Sequence, residues 1–209
     1  MTKKVNLRIF RGEDGEGTLK DYEVELDEGM VLLDCIHRLQ HEQEPDLSSR
    51  WNCKAGKCGS CSAEINGKTK LMCMTRMSDI FAEMPEGQPI EVRPLRTFPH
   101  IKDLVTDVSW NYEMAKKVKG IKGPEQPDWK FHQFEADRVQ EFRTCIECFI
   151  CQNTCHVLRE YQKFEDFGGP RTFVQIANLE MHPLDQEDRI TDTKDVFGIA
   201  YCNITKCCT

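Results

Sequence analysis

Cysteine placement is the feature of this chain that most directly implies chemistry. The 209 residues include 12 cysteines, and all but Cys35 fall into three groups. Cys53, Cys58, Cys61 and Cys73 stand in WNCKAGKCGSC and the later LMC; Cys145, Cys148, Cys151 and Cys155 stand in CIECFICQNTC; Cys202, Cys207 and Cys208 stand in CNITKCCT. The N-terminal MTKKVNLRIF has no apolar signal core, so nothing points to secretion or to disulfide formation. In a reducing compartment, thiols crowded in this way bind metal.

The first group reads C-x4-C-x2-C, followed by a fourth cysteine, which is the plant-type [2Fe–2S] ferredoxin spacing. Two irons and two sulfides need four thiolates arriving from different directions. The group is anionic, so backbone N–H donors around its sulfurs favour it, and Gly56 and Gly59 let the loop bring those donors close. The competing reading is a zinc knuckle, but zinc sites usually pair two C-x2-C units and only one is present in this stretch.

The second group reads C-x2-C-x2-C-x3-C, the bacterial ferredoxin run in which the fourth cysteine serves the other cluster of a pair. Cys145, Cys148 and Cys151 are therefore expected at a [4Fe–4S] cluster. A partner run is required, and CNITKCCT supplies it. On the same template Cys202 is the first ligand, Thr205 fills the second slot and Cys208 is the third. A cubane corner without a thiolate tends to lose its iron, so Cys155, Cys202 and Cys208 read as a [3Fe–4S] site. Cys207 is surplus: either a buried neighbour of the cluster or a one-residue shift of register, with Cys208 preserving both x2 spacings. The last cysteine of the run belongs four residues past Cys208, beyond Thr209, so a longer natural chain is expected, completing the [4Fe–4S] site.

These thiols need elements to position them. Residues 5–12 and 20–27 alternate apolar and polar side chains around GEDGEG and predict a β-hairpin. Residues 30–43 have helical spacing, with Val31, Leu32, Cys35, Ile36 and Leu39 on one face, so Cys35 reads as a small buried hydrophobe. Ser62–Ile65, the Asn66-Gly67 turn and Lys70–Met72 predict a second hairpin, and residues 89–95 a last strand. About four strands crossed by one helix make a β-grasp arrangement. Past residue 100 the texture becomes helical, over 101–118, 133–145, 152–164 and 172–181, with a Gly/Pro-rich loop at 119–128. The expected fold class is α+β: a β-grasp plant-type ferredoxin domain over 1–98, then a helical bacterial-ferredoxin-like domain over 99–209.

Composition is that of a globular protein, 39% hydrophobic and 30% charged, and no run of eighteen apolar residues predicts a membrane span. A net charge of −7 argues against nucleic acid as a partner and leaves a protein docking surface open. No Gly-rich phosphate loop, nucleophile triad or paired-carboxylate motif is visible.

With WNCKAGKCGSCSAEING, LMC, KDLVTDVS, CIECFICQNTC and CNITKCCT in this order, the whole chain resembles the iron–sulfur subunit of succinate dehydrogenase and fumarate reductase. The resemblance implies an electron relay. A flavoprotein subunit carrying FAD exchanges electrons with succinate or fumarate; the [2Fe–2S] centre faces that flavin, and the [4Fe–4S] centre passes electrons onward. The [3Fe–4S] centre faces a quinone site made with hydrophobic membrane anchor subunits, on which haem b is an option. The chain itself then does no dicarboxylate chemistry and sits peripherally at the cytoplasmic face of the inner membrane. Its alternative in the same architecture is a fumarate reductase subunit, including one fed by a soluble or thiol donor; a free ferredoxin-type carrier and a structural zinc protein are the remaining rivals.

Three positions depart from the common family pattern. His156 stands where proline usually follows the last cysteine of the run, Val157–Glu160 stand where ubiquinone-type relatives carry tryptophan, and Asn203 stands in place of a frequent histidine. These changes point away from ubiquinone and toward menaquinone. His156, Asn203 and Thr205 are accordingly placed near the quinone or the cluster, with His156 able to donate a hydrogen bond or proton there, against the plainer reading of a helix-start histidine packed on the cluster. His37 and His41 are expected to be exposed, Trp51 to shield the first cluster, and Trp110 and Trp129 to be core or interface anchors. Phe142, Phe149 and Ile150 are expected to pack around the second run. Asp103, Arg138, Arg143 and Arg171 are expected on solvated faces or subunit contacts.

Overall fold

A computed structural model of the chain describes residues 3–85, 87–125 and 130–208. The chain divides into two compact units, residues 1–107 with 148–153, and residues 108–147 with 154–209. The sequence reading drew its boundary at 98; the first unit runs on to Asp107 and recruits the segment that holds Cys148 and Cys151.

The first unit is a mixed structure built on a sheet of seven strands among the described residues, in the order β4 (Lys68–Leu71), β3 (Ser62–Ile65), β5 (Ile90–Arg93), β1 (Lys3–Glu13), β6 (His100–Lys102) and β7 (Val105–Thr106), with β2 (Glu16–Leu26) also on β1. Strands β1 (Lys3–Glu13) and β2 (Glu16–Leu26) form a long antiparallel hairpin closed by Asp14-Gly15, both at positive φ, as a type I′ turn demands. The turn is thus tighter than the Gly-rich stretch suggested, and strand pairing continues to Glu13 and Glu16. Val5, Leu7 and Ile9 point into the core while Lys4 and Asn6 stay exposed, the period-two pattern of a half-buried strand.

Helix α1 (Leu32–Glu42) lays Leu32, Leu33, Cys35, Ile36 and Leu39 on the sheet, each such burial contributing roughly 1.5–3 kcal/mol for the large residues. Its first turn is satisfied by the Asp34 carboxylate, which accepts from the Val31 N–H at 3.1 Å. Strands β3 (Ser62–Ile65) and β4 (Lys68–Leu71) turn at Asn66-Gly67, again with both residues at positive φ. Helix α2 (Met77–Glu83), missed in the sequence, packs Met77 and Ile80 inward, and β5 (Ile90–Arg93) runs parallel to β1.

Residues 100–106 do not start a helix as the pattern predicted. They form β6 (His100–Lys102) and β7 (Val105–Thr106), followed by a helix only at α3 (Ser109–Lys117). Ile101, Val105 and Thr106 are β-branched, and Asp103 between them adopts a φ of 48°. Its buried carboxylate accepts from Arg11 Nε at 3.0 Å, Gly12 N at 3.1 Å and Ser48 N at 2.8 Å. Arg11 also reaches Glu44, Asp46 and the Tyr22 hydroxyl. Burial opposes its charge, but these partners outweigh burial and raise its pKa. Asp103 is therefore a buried hub, not a solvated carboxylate.

The second unit is helical: α3, α4 (Gln133–Arg143), α6 (His156–Arg159), α7 (Gly169–Glu180), α8 (Arg189–Asp195) and a 3₁₀ turn at Ile199–Tyr201, with α5 (Ile150–Thr154) reaching it only at Thr154. The predicted helix over 152–164 is broken at Cys155, whose extended backbone caps α6. Helix α7 packs against α3, α4 and α8. Trp110 and Phe173 join Val157, Leu158 and Phe167 on one side and Met114, Ile176 and Phe197 on the other. Trp110 also donates to the Phe164 carbonyl at 3.1 Å, the core role expected of it; Trp129 lies outside the described residues.

Arg171 is buried as well, donating to Glu147 and, at 2.8 Å, to Gln175; Arg138 and Arg143 are exposed. Buried Arg189 holds Asp185 and donates to the carbonyls of Lys119 and Gly120 at 2.9 Å, fastening the loop after α3. Among the described residues, no helix is long and apolar enough to cross a membrane.

Candidate metal centres

Cys53, Cys58 and Cys61 lie in the loop between α1 and β3, and Cys73 lies in a 3₁₀ turn, Met72–Met74, directly after β4. The loop reverses tightly, with Lys54, Gly56 and Gly59 all at positive φ. A Cβ on Gly56 would come within 2.9 Å of the Met74 Cγ and Sδ, so the loop closes on that side chain because the residue is glycine.

Backbone donors face the sulfurs as the chemistry requires. Ala55 N and Lys57 N both donate to Cys53 Sγ at 3.3 Å, and Cys73 N donates to Cys61 Sγ at 3.4 Å. Hydrogen bonds from the Ser60 hydroxyl and backbone, then from Cys53, lower the Cys58 thiol to about 6, which favours the thiolate that binds iron. Burial pushes the Cys61 thiol up to about 12, against the Cys73 N–H, which favours the thiolate.

Cys58 thus neighbours Cys53, and Cys61 neighbours Cys73. Among the described residues no three His, Cys, Asp or Glu side chains converge on a single ion position. A two-iron cluster asks for two thiols at each iron, and these four thiols are grouped in that way. All-thiol donors, N–H groups aimed at sulfur and a glycine-walled loop fit a [2Fe–2S] group.

Trp51 covers Lys54 of this loop. It is 48% exposed, lies 4.6 Å from the His37 ring and carries Lys54 Nζ 5.0 Å above its own ring. His37 is half-buried under it instead of exposed, with Nε2 unpartnered; burial and then the Lys54 charge lower its pKa. His41 is exposed, as expected. Cys35 is fully buried in the core, where burial pushes its thiol up to about 12, so it is a hydrophobe and not a ligand.

In the helical unit Cys155 is buried at the start of α6, and the N–H groups of Leu158 and Val157 face its sulfur. Burial is the main cause of its raised pKa, and the next charges it feels are those of Cys208 and Cys202. Those three are the thiols grouped by spacing. Cys207 instead turns its sulfur to the Thr205 hydroxyl at 3.3 Å, and Thr205 Oγ1 lies 3.3 Å from His156 Nδ1. His156 Nε2 is buried without a partner, and the ring meets Tyr161 edge-on. Asn203 is exposed. The contact between Thr205 and His156 joins two of the three residues that the sequence placed together.

Cys145 is exposed, after α4, while Cys148 and Cys151 are half-buried and pack with the first unit. Phe149 is buried edge-on to Phe98, whereas Phe142 and Ile150 are half-buried. Sequence reasoning missed Ser62, Glu64, Thr69, Thr97 and Asn153, which fasten this segment. The one visible signal was Asn153, a polar residue set inside a cysteine run.

A ferredoxin-type domain with four loop thiols, joined to a helical unit with further cysteine runs, defines an iron–sulfur protein. The family model for the 2Fe-2S iron-sulfur cluster binding domain matches residues 6–113. The fumarate reductase iron-sulfur subunit of Mycobacterium tuberculosis is 34% identical over 190 residues, covering 88% of this chain and 72% of that protein. The mitochondrial succinate dehydrogenase [ubiquinone] iron-sulfur subunit 1 of rice, Oryza sativa subsp. japonica, is 31% identical over 200 residues, covering 91% and 68%. A chain of the solved Mycobacterium smegmatis Sdh1 complex in the apo form superposes with a TM-score of 0.94 at 55% identity, covering 100% of this chain and 87% of that one. The chain belongs to the succinate dehydrogenase and fumarate reductase iron–sulfur subunit family.

Proposed function

We propose that this chain is the electron-transfer subunit of a succinate:quinone oxidoreductase, relaying electrons between the FAD of a flavoprotein subunit and a membrane quinone of the menaquinone type. Family membership along most of the chain is the observation that carries this reading. Bound iron–sulfur clusters supply one-electron carriers whose potentials, across cluster types, span about −700 to +450 mV, so a two-electron flavin can be matched to stepwise quinone chemistry.

The chain's own residues hold, order and shield those carriers. Cys53, Cys58, Cys61 and Cys73 hold the [2Fe–2S] group. Cys145, Cys148 and Cys151, assigned by spacing, hold the [4Fe–4S] group, and Cys155, Cys202 and Cys208 hold the [3Fe–4S] group. Cys208 keeps both x2 spacings of the run, which supports the last set over one containing Cys207. His156, Asn203 and Thr205 border the quinone side of that centre. Hydrophobic anchor subunits hold the chain at the cytoplasmic face of the inner membrane.

Low-temperature EPR of the intact complex, before and after succinate, tests the reading. An oxidised [3Fe–4S] signal that disappears as a reduced [2Fe–2S] signal appears is the expected result. Signals unmoved by succinate and reduced only by dithionite would overturn the succinate link and favour the second reading, a fumarate reductase subunit with another donor. The name of the Mycobacterium tuberculosis relative favours that second reading.

A further inference from the structure

The segment from Cys148 to Asn153 packs with the first unit and is tied to it at both ends. At one end lies Ser62, the residue directly after Cys61. Its buried hydroxyl is 2.8 Å from the Cys148 carbonyl oxygen and 3.0 Å from the Gly59 carbonyl oxygen, so one proton is shared by two acceptors. At the other end lies Asn153, which has no solvent exposure. Its Nδ2 donates to Glu64 Oε1 at 2.9 Å and to Thr69 Oγ1 at 2.8 Å, while its Oδ1 accepts from Thr97 N at 3.1 Å and its carbonyl from Thr97 Oγ1 at 3.0 Å. Buried polar groups satisfied this completely hold one arrangement.

We infer that Ser62 and Asn153 are positioning residues for Cys148 and Cys151, and that the Ser62 hydrogen bond is a through-bond link between Cys61 and Cys148 that speeds electron passage. The route runs from Cys61 across the peptide bond to Ser62, along its side chain to Oγ, over the 2.8 Å contact to the Cys148 carbonyl, and on to the Cys148 thiol. It is covalent except at that one hydrogen bond. Tunnelling decays more steeply through space than through bonded atoms, so the hydroxyl speeds the passage of an electron between centres held by these two cysteines. The inference rests on the proposed assignment of Cys61 to the first centre and Cys148 to the second.

The test uses the intact complex, reduced by a flash-generated artificial donor, with redistribution between the two centres followed by rapid-freeze EPR. Ser62→Ala and Ser62→Val are expected to slow redistribution several-fold at unchanged iron and sulfide content, and Ser62→Thr, which keeps the hydroxyl at nearly the size of valine, to restore most of the rate. Wild-type rates in the Ala and Val variants with both centres filled, or a Thr variant as slow as Val, would overturn the inference. A wild-type complex with no second reducible iron–sulfur signal overturns the ligand assignment itself, and the inference with it.

Discussion

Asn153 Nδ2 sits 2.9 Å from Glu64 Oε1, a fully buried amide against a carboxylate 1% exposed. The second oxygen of Glu64 accepts from Arg96 Nε at 2.6 Å. Asn153→Ala removes the donor to Glu64 Oε1 and to the half-buried Thr69 hydroxyl, and the acceptor of the buried Thr97 N–H. The expected cost is about 2–4 kcal/mol in urea denaturation, since orphaned buried groups cost about 1–3 kcal/mol each and partly relax. Asn153→Asp is expected to be worse at neutral pH, because it sets a second carboxylate against Glu64.

Gly198 adopts a φ of +60°, and a Cβ built there lies 1.9 Å from the backbone oxygen of Asp166. Backbone cannot swing aside as a side-chain tip can. Gly198→Ala is expected to cost at least about 2 kcal/mol and to displace the 3₁₀ turn that leads to Cys202. EPR should then lose the [3Fe–4S] signal and keep the [2Fe–2S] signal. Gly15→Ala, at a φ of +89° with nothing within 4 Å of the added carbon, is the control and should cost only about 1 kcal/mol.

The cysteines outside the assigned ligand sets are expected to be replaceable. Cys207→Ala should retain the [3Fe–4S] signal and Cys208→Ala should abolish it; the reverse result would shift the register by one residue. Cys35, with its thiol pushed up to about 12 in the core, should resist alkylation in the folded protein. Cys35→Ser should leave iron content unchanged while costing about 1–3 kcal/mol for the buried hydroxyl.

His37 gives a pH dependence whose sign follows from its surroundings. Burial and the neighbouring Lys54 charge hold its folded pKa below the ordinary 6.5. As pH falls below 6.5 the unfolded chain takes up a proton that the folded imidazole resists, so stability drops across that window and is greatest above it. His37→Gln should flatten this limb of the melting curve measured against pH, and an unchanged slope would exclude His37 as its source.

The tight loop around Cys53, Cys58 and Cys61 was legible because its glycines and the Cys73 N–H aimed at Cys61 Sγ follow from short stretches of chain. Strand alternation in β1 and the Asn66-Gly67 turn were legible for the same local reason. Residues 100–106 were not, since their apolar spacing fits a helix and the opposing terms are distant: Asp103 is held by Arg11 and Ser48, far away in the chain. Helix α2 was too short for periodicity to mark. His37 and Arg171 were misread because residue type says little about exposure once a partner from elsewhere covers one side of a ring or neutralises a charge.

The placement of residues 148–153 also bears on how the protein is made. Glu64, Thr69 and Thr97 emerge from the ribosome well before Asn153, the residue that completes their hydrogen bonding. The nascent sheet therefore waits for the Asn153 amide until more than forty further residues past Asp107 have been synthesised, roughly 2–9 s at about 5–20 residues per second. A fragment cut at Asp107 would lack Cys148–Asn153 permanently, so the first unit is not one continuous stretch of chain.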